Sequence, residues 1–258
     1  MEEKPKEFII FNYKHSYDLF KLVSSNGLYV YTSLKYLCYN QHRVKHWISL
    51  NSINRVLKPN SSVINSKQKE DIINGIIELS NLGIITIIDK YKDNEFYIDS
   101  TNIFVTSYSK EIEVTESTPF VDITTIKMIE QKDYFSMISL EDLRDMYSEV
   151  NYRKEFFKYL FYIMGQRSVN TYFIKSRNAI AREIKSSKNT IIKYNEILVR
   201  YNILYIIQAN YKWIKDNGDI VNMTNIYGLL KDKEYIDDSY DNFIKKHIKE
   251  LEKIERND

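Results

Sequence analysis

The most informative segment of the chain is residues 187–204, which read SKNTIIKYNEILVRYNIL. Ile191, Tyr194, Leu198 and Tyr201 recur at the spacing of one helix face, and Ser186 or Ser187 supplies a good N-terminal cap. Asn202 is a residue type that tolerates the left-handed conformation at a helix end, and a β-rich run follows it directly. The segment therefore predicts a helix of about three turns that ends sharply and continues as a strand.

The same pattern occurs 119 residues earlier, at residues 68–85, which read QKEDIINGIIELSNLGII. At this constant offset Leu79 aligns with Leu198, and Gly83 takes the place of Asn202. Glycine and asparagine are the two residue types that best tolerate the left-handed conformation, so both helices are expected to end in the same way. The chain therefore contains two copies of one helix-to-strand unit.

Further elements surround both copies. Each is preceded by a long apolar helix and then a short helix, predicted at 28–39 and 52–57 in the first half and at 152–165 and 176–184 in the second. After the first copy, residues 92–94 predict a turn and residues 95–98 a returning strand. The order of helix, short helix, turn, helix and hairpin is therefore expected twice.

This order resembles the winged helix-turn-helix superfamily of DNA-binding proteins, over residues 28–98 and 152–227. Tandem winged helices in a chain of this size also resemble plasmid and phage replication initiators and replisome organisers. The resemblance implies a mainly α chain with small β-hairpin wings (α+β), in which an ordered acidic segment joins two winged-helix domains. We expect a first winged-helix domain at 16–108, an acidic connecting segment with a strand at 109–150, a second, basic winged-helix domain at 151–230 and a charged amphipathic C-terminal helix at 231–258.

The charge of the chain is nearly balanced overall, with 37 basic and 35 acidic residues, but it is unevenly distributed. Residues 151–200 hold eleven basic and three acidic residues, whereas residues 111–150 hold three basic and ten acidic ones. A smaller basic excess, six against one, lies in residues 43–70. Because phosphate neutralisation releases condensed counterions, concentrated basic zones predict a polyanionic partner, with a merely solvated surface as the alternative.

The second copy supplies most of the candidate DNA contacts. In a helix-turn-helix the second helix enters the major groove, where Asn can pair with adenine, Lys can reach guanine or phosphate, and Ile can touch a thymine methyl. The candidates on the polar face of this helix are Lys188, Asn189, Ile192 and Lys193. Candidates for phosphate contacts are Arg177, Arg182 and Lys185 before it, and Lys212 and Lys215 in a predicted wing at 208–215.

The first copy is a poorer candidate for DNA binding. Its candidate contacts are Lys67, Gln68, Lys69 and Asn74. Glu70 and Asp71 lie near the tip of the same helix, where they would repel phosphate. A module for protein interaction or dimerisation is the alternative for this copy.

Enzymatic chemistry has little support in the sequence. The six glycines are too far apart for a phosphate-cradling loop, and the four histidines do not form the pair that a metal-dependent nicking enzyme requires. Cys38, His42 and His46 have a spacing acceptable for zinc, but no fourth ligand is evident. Asp122 and Glu130 resemble the acidic pair of some magnesium nucleases, but a β-like run without a turn separates them. We expect no catalytic activity, no metal and no cofactor.

The remaining composition bears on location and partners. A single cysteine suits a reducing cytosol, and neither a membrane-spanning run of about 20 apolar residues nor an N-terminal signal segment is present. An apolar stripe in the C-terminal helix, predicted over 235–258, favours packing on its own domain, with homodimerisation as the alternative.

The function predicted from the sequence is sequence-specific binding of double-stranded DNA in plasmid or phage replication initiation, together with host replication proteins. The alternatives are a transcriptional regulator of a mobile element, a protein-interaction scaffold and a metal-dependent nuclease.

Overall fold

The structure is a computed structural model of the 258-residue chain. It describes residues 7–40, 45–48, 50–61, 64–84, 86–88, 110–113, 135–208, 211–214, 220–247 and 251–253. These residues are mostly helical with small antiparallel sheets, which confirms the predicted α+β class. The chain forms two compact units, Met1–Gly165 and Gln166–Asp258.

The first unit combines helices with two small sheets. Its described helices are α1 (Tyr13–Leu22), α2 (Ser25–Asn40), α3 (Leu50–Leu57), α4 (Ser66–Asn81), α5 (Leu140–Glu149) and α6 (Glu155–Gln166), whose last residue opens the second unit. Its described strands are β1 (Phe8–Asn12), β2 (Lys45–Ile48), β3 (Thr86–Ile88), β4 (Lys110–Glu113) and β5 (Phe135–Ser139). Strand β1 pairs antiparallel with β5, and the other three form an antiparallel sheet in the order β2-β4-β3.

The second unit places three helices among two three-stranded sheets. Its described elements are β6 (Tyr172–Ile174), α7 (Arg177–Glu183), α8 (Lys188–Arg200), β7 (Leu204–Ile207), β8 (Tyr211–Ile214), β9 (Ile220–Asn222), β10 (Ile226–Leu229), a 3₁₀ turn (Leu230–Asp232), α9 (Lys233–His247) and β11 (Leu251–Lys253). One antiparallel sheet has the order β6-β10-β7, and the other has the order β11-β8-β9.

The described elements follow the same order twice. Elements α2-β2-α3-α4-β3-β4 correspond to α6-β6-α7-α8-β7-β10, and in both sheets the last of the three strands lies between the other two. The helix ends also correspond, because Gly83 and Asn202 both adopt the left-handed conformation, with φ of 67° and 58°. In each copy the residue after them donates its backbone N–H across the helix end, at 2.9 Å. The offset of 119 residues therefore also holds for the hydrogen bonds that end the helices.

A further pair of corresponding elements, absent from the sequence-based predictions, lies ahead of each copy. Strand β1 runs into α1 and strand β5 runs into α5, and the side chains of Asn12 and Ser139 cap the two helices in the same way. The two strands pair with each other, with Ile10 opposite Met137 at the centre. Partner choice between distant strands leaves little trace in local periodicity, which is why the sequence does not reveal this pair.

Helix α6 is the centre of the aromatic core of the first unit. Its residues 156–164 are buried except Lys158. The Phe161 ring lies 5.4 Å from the ring of Phe11 on β1 and 5.6 Å from that of Tyr31 on α2. At Gly165 an added Cβ would lie 2.6 Å from the Tyr17 Cα, so α1 and α6 approach at backbone distance. The sequence-based domain boundary at residue 151 therefore falls inside the first unit.

The C-terminal segment differs from the single helix expected over 235–258. Helix α9 ends at His247, and Leu251–Lys253 forms β11, which pairs with β8. The apolar spacing of this segment suits either structure, and the backbone groups along the edge of β8 decide in favour of a strand.

Some predicted elements lie outside the described residues. They are the returning strand at 95–98 and the strand expected in the acidic segment at 119–126. Within the described part of the chain, none of the helices combines the length and the apolar character needed to cross a bilayer.

Candidate nucleic-acid interface

Helix α8 is anchored on one side and open on the other. Ser187 caps it by accepting a hydrogen bond from the backbone N–H of Thr190 at 3.1 Å. Ile191, Tyr194 and Leu198 are at most 1% exposed, which confirms the apolar stripe predicted from the sequence. The helix is therefore held by its buried face, and its other face is available to a ligand.

The polar face of α8 carries the predicted contacts. Lys188, Asn189 and Lys193 are exposed, and Ile192 is half-buried. Within the described ranges, neither lysine has an ion-pair partner. Glu196 is an exposed acid on the same helix, one turn beyond Lys193 and two turns beyond Asn189. The first two turns of the helix therefore present two cations and one amide to solvent.

The turn before α8 adds positive charge to this surface. Arg182 and Lys185 are exposed and have no ion-pair partner in the part of the chain that the structure describes. Lys185 adopts the left-handed conformation, with φ of 55°, and the backbone N–H of Ser186 closes the turn onto the Ala181 carbonyl at 2.8 Å. This tight turn brings the end of α7 close to the start of α8.

The acid on α7 is neutralised within the unit. Lys175 Nζ lies 2.8 Å and 2.9 Å from the two carboxylate oxygens of Glu183. Arg177, at the start of the same helix, is half-buried, and its Nε has no hydrogen-bond partner among the described residues. The surface of α7 therefore keeps a net positive charge towards the turn.

The predicted wing at 208–215 differs from the structure. Tyr211–Ile214 forms β8, the central strand of the sheet β11-β8-β9, and the partner of β7 is β10. Lys212 is half-buried and lies opposite Asn222 and Glu252 in register. Lys215 follows this strand and lies outside the described residues. A strand forms here because Tyr211–Ile214 has β-favouring residues and finds a partner on each side.

In the first copy, α4 exposes Lys67, Lys69 and Asn74. Gln68 is engaged in the helix cap, because its Oε1 accepts a hydrogen bond from the backbone N–H of Asn65 at 3.2 Å, while the Asn65 side chain accepts one from the Gln68 N–H at 2.9 Å. Three of the four predicted contacts of this copy are therefore open to solvent, and the fourth holds the start of the helix.

The acids of α4 do not act as a group. Asp71 accepts a hydrogen bond from Lys154 Nζ at 2.5 Å and one from Asn26 Nδ2 at 3.3 Å, so a cation opposes its charge. Glu70 is exposed. Of the two acids expected to repel phosphate, only Glu70 therefore remains without a neutralising cation among the described residues. The sequence does not reveal this, because it shows Lys154 only as one of the basic residues in 151–200 and not as the partner of Asp71.

A second cation lies near the same pair. Burial lowers the pKa of Lys58, the charge of Lys154 lowers it further, and Asp71 partly opposes the shift. Lys58 Nζ lies 4.5 Å from the centroid of the Tyr152 ring. The ion pair of Lys154 with Asp71 therefore ties α4 to the segment before α6, and Lys58 interacts electrostatically with both charges.

Metal chemistry finds no support in the described part of the chain, where no cluster of His, Cys, Asp or Glu could hold an ion. The side chains of Cys38, His42, His46, Asp122 and Glu130 lie outside the description, so the zinc and nuclease alternatives stay untested predictions. Comparison of the chain with protein-family models, with curated proteins and with solved structures finds no match.

Proposed function

We propose that the chain is a non-enzymatic protein that binds double-stranded DNA sequence-specifically through two winged-helix domains, in the replication initiation of a plasmid or phage. The observation that carries this proposal is the exposed, cationic first half of α8 opposite a fully buried stripe. A helix fixed in this way presents its side chains at defined positions, which direct reading of bases requires.

The repeated order of elements supports the winged-helix assignment. In each copy a short helix and a longer second helix precede antiparallel strands, and the third strand inserts between the first two. In the second copy, the β8–β9 hairpin between β7 and β10 takes the place of the wing. The wing in this proposal is therefore the β8–β9 hairpin, and its first strand lies within the predicted wing segment 208–215.

The dimensions of α8 suit the major groove. Its 13 residues correspond to a rod of about 20 Å, and the groove is about 12 Å wide, enough to admit a helix. Lys188 and Asn189 lie in the first turn, the part of a recognition helix that reaches base edges. Arg182 and Lys185 are placed to contact the phosphates that flank it.

The test is a binding titration by fluorescence anisotropy on duplexes selected from a random library with the wild-type protein. Lys188→Ala together with Lys193→Ala should weaken binding about tenfold to a hundredfold. It should also flatten the slope of log affinity against log salt by about 0.9 for each phosphate that the variant no longer neutralises.

A matched control removes the same charge elsewhere. Lys245→Ala together with Lys246→Ala takes two exposed cations from the last turn of α9. We expect this pair to leave affinity nearly unchanged. If both double variants weaken binding equally, the binding is nonspecific attraction and α8 is not the reading helix. Plasmid maintenance after deletion of the gene then separates a replication role from a transcriptional one.

A further inference from the structure

An apolar cavity of about 460 Å³ lies within the second unit. Its walls come from β6, β8, β9, β10, α9 and the segment before β10, and the largest side chains among them are Tyr172, Trp213, Tyr240 and Phe243. The cavity therefore lies where the two sheets of the unit meet α9.

The lining of the cavity is neutral and rich in rings. Among the described residues no charged side chain lines it, and its few polar groups there are an amide and two hydroxyl side chains besides the tyrosines. The Trp213 and Phe243 rings lie 5.7 Å apart and form one aromatic wall. A lining of this kind favours a neutral ligand with aromatic character, because a charged one would lose its hydration without gaining a partner.

Apolar side chains at this cavity remain in contact with water. Ile174 is 55% exposed and Phe243 is 36% exposed, although both face an apolar space. Burying them under a ligand is favourable by about 25 cal/mol for each Å² removed from water. The concave shape and a volume within the usual range of about 300–1,000 Å³ suit a small molecule rather than a flat protein surface.

We propose that this cavity is a binding site for a small, neutral, aromatic molecule. The proposal goes beyond DNA binding and does not depend on it, since the cavity lining shares no residue with the polar face of α8. Because β8 and β6 belong to different sheets, a bound molecule would contact both sheets at once.

The experiment uses N-phenyl-1-naphthylamine, a neutral aromatic probe whose fluorescence rises in apolar surroundings, with the full-length protein and no DNA. We expect saturable binding at one site with a dissociation constant on the order of 10 μM. Tryptophan fluorescence should fall in the same titration, because Trp213 lines the site.

Three variants on α9 locate the probe. Ser239→Phe fills the cavity and should weaken binding by at least about tenfold. Ser239→Ala removes the hydroxyl without filling space, and Asn242→Phe adds the same ring at an exposed position of the same helix, so both should bind as the wild type does. Ser, Asn and Phe have similar helix propensities, and circular dichroism checks that each variant is folded.

Three other results overturn the proposal. Absence of saturable binding, or binding that Ser239→Phe does not weaken, means that the cavity does not accept such a molecule, for example because the chain itself occupies it. A wild-type dimer in analytical ultracentrifugation that Ser239→Phe converts to a monomer means that a second copy occupies the cavity instead.

Discussion

Helices α4 and α8 occupy equivalent places in the two copies and end in the same way, but two acids of α4 form hydrogen bonds within its own unit. Helix α8 leaves Lys188 and Asn189 in its first turn exposed. Helix α4 uses Gln68 for its cap and ties Asp71 to Lys154. Further along α4, Glu78 accepts hydrogen bonds from the backbone N–H and the hydroxyl of Ser24 at 2.7 Å and 2.5 Å.

The same helix arrangement can therefore serve two purposes, which are to hold a helix within its own unit and to present polar side chains to a ligand. Gln68, Asp71 and Glu78 of α4 form hydrogen bonds within the first unit, although Lys67, Lys69 and Asn74 of the same helix are exposed. On α8, Lys188, Asn189 and Lys193 are exposed and have no ion-pair partner among the described residues. A polar side chain that is satisfied internally gains little from DNA, because it would have to give up one partner for another. Under the proposed function, we therefore expect the second copy to read bases and the first copy to make weaker phosphate contacts.

The largest expected effect is a loss of stability, and measuring it tests whether α4 and α8 are packed equivalently. Leu79 and Leu198 align at the offset of 119 residues and are both fully buried. Leu79→Ala and Leu198→Ala should each lower the free energy of unfolding by about 2–5 kcal/mol, because each leaves a cavity in a packed core. Urea denaturation followed by circular dichroism measures both. A loss below about 1 kcal/mol in only one of them, the size typical of a surface change, would refute equivalent packing.

The second-largest expected effect concerns one buried or half-buried lysine on each of α2 and α6, the long helices that precede the short helix in each copy. Lys158 on α6 donates hydrogen bonds from its Nζ to the Phe20 carbonyl and, at 2.6 Å, to the Val23 carbonyl at the end of α1. Lys35 on α2 is buried, and burial lowers its pKa from 10.5 to about 8. We expect Lys35→Met to stabilise the protein at pH 7 by up to about 3 kcal/mol, and Lys158→Met to destabilise it by about 1–3 kcal/mol. Urea denaturation at pH 7 measures both variants.

The sign of the pH dependence follows from the lowered pKa of Lys35. Between pH 8 and 10.5 the unfolded chain binds more protons at this lysine than the native state does, so the contribution of Lys35 to the free energy of unfolding rises with pH. Lys35→Met should remove this rise, and its advantage over the wild type should vanish above about pH 10.5. Thermal unfolding across this range measures it, and a Lys35→Met advantage that is independent of pH would contradict the buried charge as its cause.

The smallest effect sharpens the contrast in DNA binding. Lys67→Ala together with Lys69→Ala removes two exposed cations from α4, at the same change in net charge as the α8 double variant. We expect a loss of about threefold in affinity and a smaller change in the salt slope. The same anisotropy titration measures it. A loss as large as that of the α8 pair would mean that both copies read DNA alike.

Much of the local structure is readable from the residues alone. The buried stripe of α8 with its Ser187 cap, the short helix α7, and the left-handed helix ends at Gly83 and Asn202 all match the prediction. Most of the candidate contacts on α8 are exposed as expected. These features depend on neighbours within one or two helical turns, where side-chain spacing and caps leave a clear pattern.

Other features depend on residues far apart in the chain. The pairing of β1 with β5, the choice of β10 rather than β8 as the partner of β7, and the strand β11 after α9 are decided by which backbone edges meet. The neutralisation of Asp71 by Lys154, 83 residues away, is of the same kind.

The amino-acid order thus determined where helices begin and end and which of their faces is apolar, because those properties follow from local hydrogen bonding and periodicity. The tertiary structure alone decided which charged side chains form ion pairs within the protein and which remain exposed for a ligand. The reason is that a charge is neutralised by an opposite charge that the fold brings within about 4 Å of it.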